Sequence, residues 1–308
     1  MPPMKTPEKF LIVITGPTAS GKSGLSIQLA KHLQTEIISA DSRQVYKELN
    51  IGTAKVTQEE MQGVPHHLIS NHSVLEKYNA AIFEQEALDA IECVHQRNNF
   101  VIMTGGTGLY IDAVCRGIND QLPGLNSHIR DALQHYVDKM GLESLYEIYR
   151  ELDEEGAVQV DAKNTERLIR ATSACIQLGK PFSMVKPSKP KQRPFKVLYF
   201  VLDVPREELY ERINMRVEEM MNNGLLEEVN QLKKHAQVSA LRTVGYAELI
   251  QYLNGEIPLD EAIELIKRNT RRYAKRQLTW FRKYENAIWV KPDNFESILT
   301  RIEAEIYR

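Results

Sequence analysis

Short, wholly apolar runs alternate along this chain with longer segments in which apolar residues return every three or four positions. FLIVIT (10–15) is a β-branched run flanked by turn residues, the pattern of a strand buried on both faces of a parallel sheet. EIIS (36–39), FVIMT (100–104), VLYFVLD (197–203) and AIWV (287–290) repeat it. After the first run comes GKSGLSIQLAKHL, where Leu25, Leu29 and Leu33 recur four apart and so share one helical face. Strands alternating with helical periods predict an α/β fold, an open parallel sheet with helices on both faces.

The middle of the chain breaks the alternation. From Gly117 to Lys186 the period is helical, with no strand-like run. NSHIRDALQHYVDKMG and NTERLIRATSACIQLGK each begin on residues suited to an N-cap and end on Gly. KPSKPKQRPFK then reads as an exposed linker back to the sheet. The expected organisation is a core domain of residues 8–116 and 196–308, interrupted by an all-helical insertion over 117–195. Beyond VLYFVLD, Pro205 opens one helix at a favourable first-turn position, and a long helix is expected from about Asp260 to Lys283.

Bulk composition narrows the setting more than the activity. A chain of 308 residues can bury a core without disulfides or a structural metal. Lys and Arg number 39 against 41 Asp and Glu, so a nucleic-acid signal has to be local. Cys93, Cys115 and Cys175 lie far apart without CxxC spacing, which argues against a disulfide framework or zinc ribbon and for the reducing cytosol. The start, MPPMKTPEKF, is polar and the apolar run after it short, unlike a signal peptide or membrane span. A soluble cytoplasmic monomer with no membrane partner is expected.

Candidate chemistry begins at Gly16-Pro17-Thr18-Ala19-Ser20-Gly21-Lys22-Ser23, a full GxxxxGK[ST] match between a predicted strand and a predicted helix. Glycines at that spacing let successive N–H groups turn toward phosphate oxygens, and the helix N-terminus adds partial positive charge. Lys22 would neutralise the outer phosphate and Ser23 would bind Mg²⁺. The fold is thus of P-loop type. ATP is the default ligand, but FVIMT runs into Gly105-Gly106-Thr107-Gly108 with no carboxylate to position a metal, which counts against ordinary nucleotide hydrolysis.

Asp41 closes EIIS-A and should face the same crevice, since ligands gather at the carboxyl ends of parallel strands. It could act as a general base or hold a metal indirectly, or simply cap the next segment. The glycines of Gly105-Gly106-Thr107-Gly108 permit close backbone approach to a ligand, and Thr107 offers a hydroxyl. Pro65-His66-His67 hints at a metal, but adjacent histidines diverge and no further ligands follow at zinc spacing. Lys267–Lys283 holds eight basic residues, no acid, and Tyr273, Trp280 and Phe281. That mixture suits RNA phosphates and stacked bases, with anionic small ligands as the competitor.

Taken together, GPTASGKS, ADSRQVY, IGTAK, PHH, GGTGLY, the ERLIRA helix, RTVGYAE and YAKRQLTWFR closely resemble the tRNA dimethylallyltransferase family, in order and over nearly the whole chain. The resemblance implies transfer of a dimethylallyl group from dimethylallyl diphosphate to N6 of the adenosine 3′ to the anticodon, with Mg²⁺ assisting and diphosphate leaving. The phosphate loop would then hold the donor's diphosphate rather than ATP. Asp41 would engage the N6 amino group, with Thr18 beside it. Arg216 looks like the family's diphosphate-side arginine, with Arg212 close by. Contacts to the tRNA anticodon stem-loop are implied for Asp41, Ser42, Arg43, Gln44, Thr107 and Arg130, for Glu166, Arg167, Leu168, Ile169 and Arg170, for Arg242, Thr243, Val244, Gly245, Tyr246 and Ala247, and for Lys275, Arg276, Gln277, Leu278, Thr279, Trp280, Phe281 and Arg282. Two departures are Val56, where many relatives have Pro, and RATSA in place of RALE. The rival reading is a small-molecule kinase using ATP, with the inserted helices as its lid and Asp41 deprotonating a hydroxyl.

Overall fold

The computed structural model describes residues 8–118, 126–185 and 189–306. The start of the linker, at Lys186 to Ser188, and the first seven residues lie outside the described residues. Six strands are described: β1 (Phe10–Thr15), β2 (Ile37–Ser39), β3 (His66–His67), β4 (Phe100–Gly105), β5 (Lys196–Leu202) and β6 (Ile288–Val290). They form one sheet in the order β3-β2-β4-β1-β5-β6, every pairing parallel. The five strands read from apolar runs are present. The sixth, β3, is the histidine pair, too short and too polar to register as a strand.

The helices are α1 (Lys22–His32), α2 (Gln58–Met61), α3 (Ala80–His95), α4 (Gly108–Arg116), α5 (Ser127–Met140), α6 (Leu142–Leu152), α7 (Glu154–Gln159), α8 (Thr165–Leu178), α9 (Arg206–Asn222), α10 (Leu225–Leu232), α11 (Tyr246–Leu253), α12 (Leu259–Phe281) and α13 (Phe295–Ile306). Alternation along β1 assigns them to faces. Leu11 and Val13 pack with Phe83, Ile91, Tyr110 and Phe281, beneath α3, α4 and the end of α12. Ile12 and Ile14 pack oppositely, with Leu25, Leu29, Ile298 and Ile302 of α1 and α13. Both faces of the sheet are therefore dry, which is what permits the unbroken apolar run from Phe10 to Ile14.

Register places the chemistry. Thr15 of β1 pairs with Gly105 and Val201, and Ser39 with Thr104, so the carboxyl ends of β2, β4, β1 and β5 finish level. The chain leaves β1 toward β2 on one side and later adds β5 on the other. A crevice therefore opens above β1, at the switch point where open parallel sheets hold their ligands.

The chain divides into two compact units, residues 1–117 with 191–308, and residues 118–190. The boundary differs slightly from the expected one because part of the basic linker belongs to the core. Arg193 donates to Glu84 (2.7 Å) and to the carbonyls of Val114 (2.7 Å) and Ala113 (2.9 Å), while Lys191 N–H bonds the Arg116 carbonyl (2.8 Å).

The inserted unit has its own core of Leu145, Tyr149, Leu168, Ile169 and Cys175. Asn126 and Asn164 cap α5 and α8 through their side chains, and Gly141 and Gly179 terminate them, as the pattern predicts. Between them lie α6 and α7, which sequence reasoning did not separate. Asp153 organises that corner, accepting from Gly156 N–H (2.8 Å), Ser183 N–H (2.7 Å) and Ser183 Oγ (2.6 Å).

Candidate active site

The phosphate loop turns on two left-handed residues, Ala19 (φ 62°) and Gly21 (φ 88°). Gly21 is the N-cap of α1 and offers no side-chain cap, and no acid stands in the first turn. The leading N–H groups of α1 are therefore left for a ligand, with the helix dipole behind them. Ser20 Oγ is buried without a hydrogen-bond partner, an unmet polar group within the loop itself.

Two cations, Lys22 and Arg216, converge here, and among the described residues neither is in an ion pair. Lys22 Nζ donates to the Pro17 carbonyl (2.6 Å). Burial first, and the Arg216 guanidinium second, push its pKa down to about 7, with Asp41 offsetting part of the fall. Arg216, on α9, is itself held below the ordinary arginine value by burial. Arg212, one turn earlier, is spent in an ion pair with Glu208 of its own helix and does not line the cavity. The structure thus separates two arginines that the sequence left adjacent.

Asp41 follows β2, where it caps the next turn and also lines the cavity. Its Oδ1 accepts from the N–H groups of Arg43 (2.8 Å) and Gln44 (3.3 Å), a capping turn. The same residue lines the cavity of about 110 Å³ that Thr18, Lys22, Ser23 and Arg216 also line. Ser42 N–H donates to Thr107 Oγ1 (3.0 Å), tying the Asp41 turn to the end of β4. Gln44 Nε2 bonds the carbonyls of Thr53 (3.2 Å) and Ala54 (3.1 Å), which brings the 51–56 loop to the cavity wall. Sequence reasoning missed Thr53, Val56, His66, Ile69 and Tyr273 as lining residues. They come from loops, from β3 and from the inner face of α12, where no local pattern marks them.

Gly105 and Gly106 line the cavity, and Gly106 and Gly108 also admit α12. A Cβ on Gly106 would lie 2.2 Å from Gln277 Nε2, and one on Gly108 would lie 2.3 Å from the Trp280 indole. Both positions therefore make room for α12. Gln277 is 5% exposed and bridges Thr18 N–H (2.8 Å) to the Gly106 carbonyl (2.9 Å). Trp280 Nε1 donates to Asp112 (3.0 Å), and Phe281 is fully buried. The aromatics read as base-stacking platforms, Trp280 and Phe281, are thus keyed into the core, while Tyr273 lines the cavity.

The basic face of α12 is nonetheless real. Arg272, Lys275, Arg276 and Arg282 are exposed, and among the described residues none has an acidic partner within ion-pair distance. Lys267, by contrast, pairs with Glu218 (2.5 Å) and Glu264 (2.8 Å), and Arg271 donates to Asn214 (2.6 Å). Of the other positions implied for tRNA, Ser42, Arg43 and Gln44 are half-buried near Asp41, Arg242 and Thr279 are exposed, and Thr243, Val244, Ala247 and Leu278 are half-buried. Gly245 is buried, and Tyr246 is wholly buried with its hydroxyl on Glu228 (2.5 Å). Within the inserted unit, Glu166, Arg167 and Arg170 are exposed and Arg130 pairs with Glu166 (3.3 Å), whereas Leu168 and Ile169 belong to that unit's core. The side chains of Leu168, Ile169, Tyr246 and Phe281 are therefore buried beneath the surface, and Gln277 lines the cavity.

The histidine pair divides. His67 Nε2 bonds Glu36 (2.6 Å), which also pairs with Arg97 (2.5 Å), while His66 bonds the Val64 carbonyl (2.8 Å). Among the described residues, no three His, Cys, Asp or Glu side chains form a ready-made metal cluster. No described helix is long and apolar enough to cross a membrane.

Comparison with known proteins agrees with this geometry. The model of the family described as IPP transferase matches residues 44–284. A tRNA dimethylallyltransferase of Cytophaga hutchinsonii is 43% identical over 298 residues, covering 97% of this chain and 98% of that protein. One from Bacteroides fragilis is 42% identical, covering 97% and 99%. Among solved structures, the tRNA isopentenylpyrophosphate transferase of Bacillus halodurans aligns with a TM-score of 0.73 at 36% identity, covering 97% of each chain. A eukaryotic dimethylallyltransferase captured acting on tRNA aligns at 0.72 and 27% identity, over 94% of this chain and 75% of that one. With a phosphate loop facing an acid across one cavity, and with relatives matching end to end above 40% identity, the chain belongs to the IPP transferase family of tRNA dimethylallyltransferases.

Proposed function

We propose that this protein transfers a dimethylallyl group from dimethylallyl diphosphate to N6 of the adenosine 3′ to a tRNA anticodon, releasing diphosphate. The observation that carries the reading is the pair Lys22 and Arg216 in one cavity, close enough for Arg216 to depress the Lys22 pKa, set against the uncapped N-terminus of α1. Such a site wants a dense anion. The curated relatives' names supply the acceptor class.

Diphosphate leaves only if its developing charge is met. Lys22, Arg216 and the loop amides do so with donors already in place, so little reorganisation is needed during reaction. The arriving anion favours the ammonium form of Lys22. Adenine N6 is a weak nucleophile because its lone pair is delocalised into the ring. Asp41 accepts the N6 proton as the new C–N bond forms, with its Oδ1 turn fixing the carboxylate. Thr18 lines the same space. The base must leave its stack to enter, at about a few kcal/mol, which contacts on the exposed arginines and lysine of α12 offset.

The Ser23 hydroxyl, in a small polar cavity, suits Mg²⁺, which favours oxygen and shares its shell with substrate phosphates. Bound there, Mg²⁺ would supply further charge for the departing diphosphate.

The kinase alternative predicts ATP on the same loop. Gly105 at the end of β4 supplies no carboxylate, and a small acceptor gives the exposed basic face of α12 no task. Competition distinguishes the two readings. Inorganic diphosphate and dimethylallyl diphosphate should displace one another from the protein at micromolar levels while ATP competes weakly. Tight ATP binding that dimethylallyl diphosphate cannot displace would favour the kinase.

A further inference from the structure

Gln277 does something that neither the reaction nor an RNA-contacting role explains. It lies on the inner face of α12, and both ends of its amide are used, Oε1 by Thr18 N–H and Nε2 by the Gly106 carbonyl. The peptide unit whose N–H it holds is the one between Pro17 and Thr18. The carbonyl of that same unit receives Lys22 Nζ. One planar group is thus held by Gln277 on its N–H and by the catalytic lysine on its C=O, and the plane cannot rotate at one end without moving the other.

The arrangement is matched on the β4 side. Gly106 leaves space only because it lacks a Cβ, which would meet Gln277 Nε2 at 2.2 Å. Its φ is not in the left-handed region, so nothing in the backbone itself demands glycine there. The demand comes from Gln277. A Gln with both amide ends satisfied, 5% exposed, and reached by a residue trimmed to admit it is a built contact.

We propose that Gln277 is a positioning residue for the transfer reaction, fixing the Pro17–Thr18 peptide so that the phosphate loop and Lys22 present one geometry to the donor's diphosphate. The role rests on the reading of residues 16–23 as the diphosphate site. It replaces the RNA contact that the sequence implied for this position. Freed from Gln277, the peptide can turn its N–H into the cavity or its carbonyl toward the incoming anion, and the latter orientation repels it.

The test is a cycle of variants read by binding and kinetics. Gln277→Met keeps the bulk of the side chain and loses both hydrogen bonds. Gly106→Ala leaves Gln277 in place but forces Nε2 away. Each should weaken binding of inorganic diphosphate with Mg²⁺, measured by calorimetry, by about tenfold and raise the donor KM in parallel. The KM for unmodified tRNA should stay within about twofold. In a Gln277→Ala background the space is open, so adding Gly106→Ala should cost less than about twofold more. A merely structural Gln277 would lower the melting temperature and leave the donor KM of the folded protein unchanged, and that result overturns the proposal. So does a Gly106→Ala penalty of equal size in both backgrounds. If the unaltered protein itself binds no diphosphate, the functional reading fails and this role falls with it, an outcome distinct from failure of the variants alone.

Discussion

Replacing Lys22 with Met should abolish turnover and yet make the ligand-free protein more stable. The lysine is held in a cavity where burial and Arg216 lower its pKa from 10.5 to about 7. A lysine whose folded pKa lies below its unfolded one opposes folding. The penalty is complete below the folded value and is relieved as pH rises toward the unfolded one. The difference of about 3.5 units sets a ceiling of about 5 kcal/mol at neutral pH. Water and salt reaching a half-buried side chain reduce it, and Met also loses the Nζ bond to Pro17, worth about 1–2 kcal/mol. A net gain of about 1–3 kcal/mol remains, or a few degrees in melting temperature.

Thermal melts of both proteins from pH 6 to 9.5, with and without inorganic diphosphate, make the assay. The Met variant should melt higher without ligand, and its advantage should shrink as pH rises above 7. Diphosphate should stabilise the unaltered protein and leave the variant almost unmoved. A variant that melts lower than the unaltered protein, or that diphosphate still protects, would refute the idea that Lys22 is strained in waiting for an anion.

Asp41→Asn should keep its melting temperature, because Asn Oδ1 can accept the same Arg43 and Gln44 N–H bonds. Its single-turnover rate on tRNA should fall by about a hundred- to ten-thousand-fold, and a rate equal to the unaltered protein's would remove Asp41 from proton transfer. Changing Arg272, Lys275 and Arg276 together to Ala should make the salt dependence of tRNA binding shallower by roughly two to three in log–log slope, with donor affinity unchanged; an unaltered slope would mean that RNA does not use this face. His72 bonds Glu76 (2.6 Å) and Glu86 (2.8 Å), and although burial lowers its pKa, those carboxylates raise it above the ordinary value. Its stabilising contribution is therefore complete below the unfolded pKa and lost as pH rises through the higher folded one. His72→Gln should cost more stability at pH 5.5 than at pH 8.5, and an equal cost at both would contradict the assignment.

Patterns that depend on neighbours in sequence were legible, and those that depend on neighbours in space were not. β1 announced itself because burial on both faces demands an unbroken apolar run, and the loop after it because phosphate binding fixes its glycines. The Asn caps and Gly stops of α5 and α8 were visible for the same local reason. β3 was not, since two histidines pairing with β2 carry no period. Trp280 and Phe281 looked like RNA-stacking residues because they sit among arginines in sequence, whereas helical rotation turns Phe281 inward and brings Trp280 to Gly108 and Asp112. The need of Gly106 and Gly108 to admit α12 has no sequence signal, because Gln277 and Trp280 lie about 170 residues away. Arg216 and Arg212 could be separated only by knowing which side of α9 faces the loop.

The central claim is that a prenyl group leaves diphosphate on this loop and arrives on tRNA. Purified protein, unmodified tRNA, Mg²⁺ and dimethylallyl diphosphate labelled in its hydrocarbon should be incubated beside γ-labelled ATP as rival donor. The tRNA should then be digested to nucleosides. The account predicts label from the prenyl donor on N6-dimethylallyladenosine at the position 3′ to the anticodon, one diphosphate released per transfer, and none of the ATP label on any product. Phosphate transfer from ATP to an acceptor, with tRNA left unmodified, would contradict it.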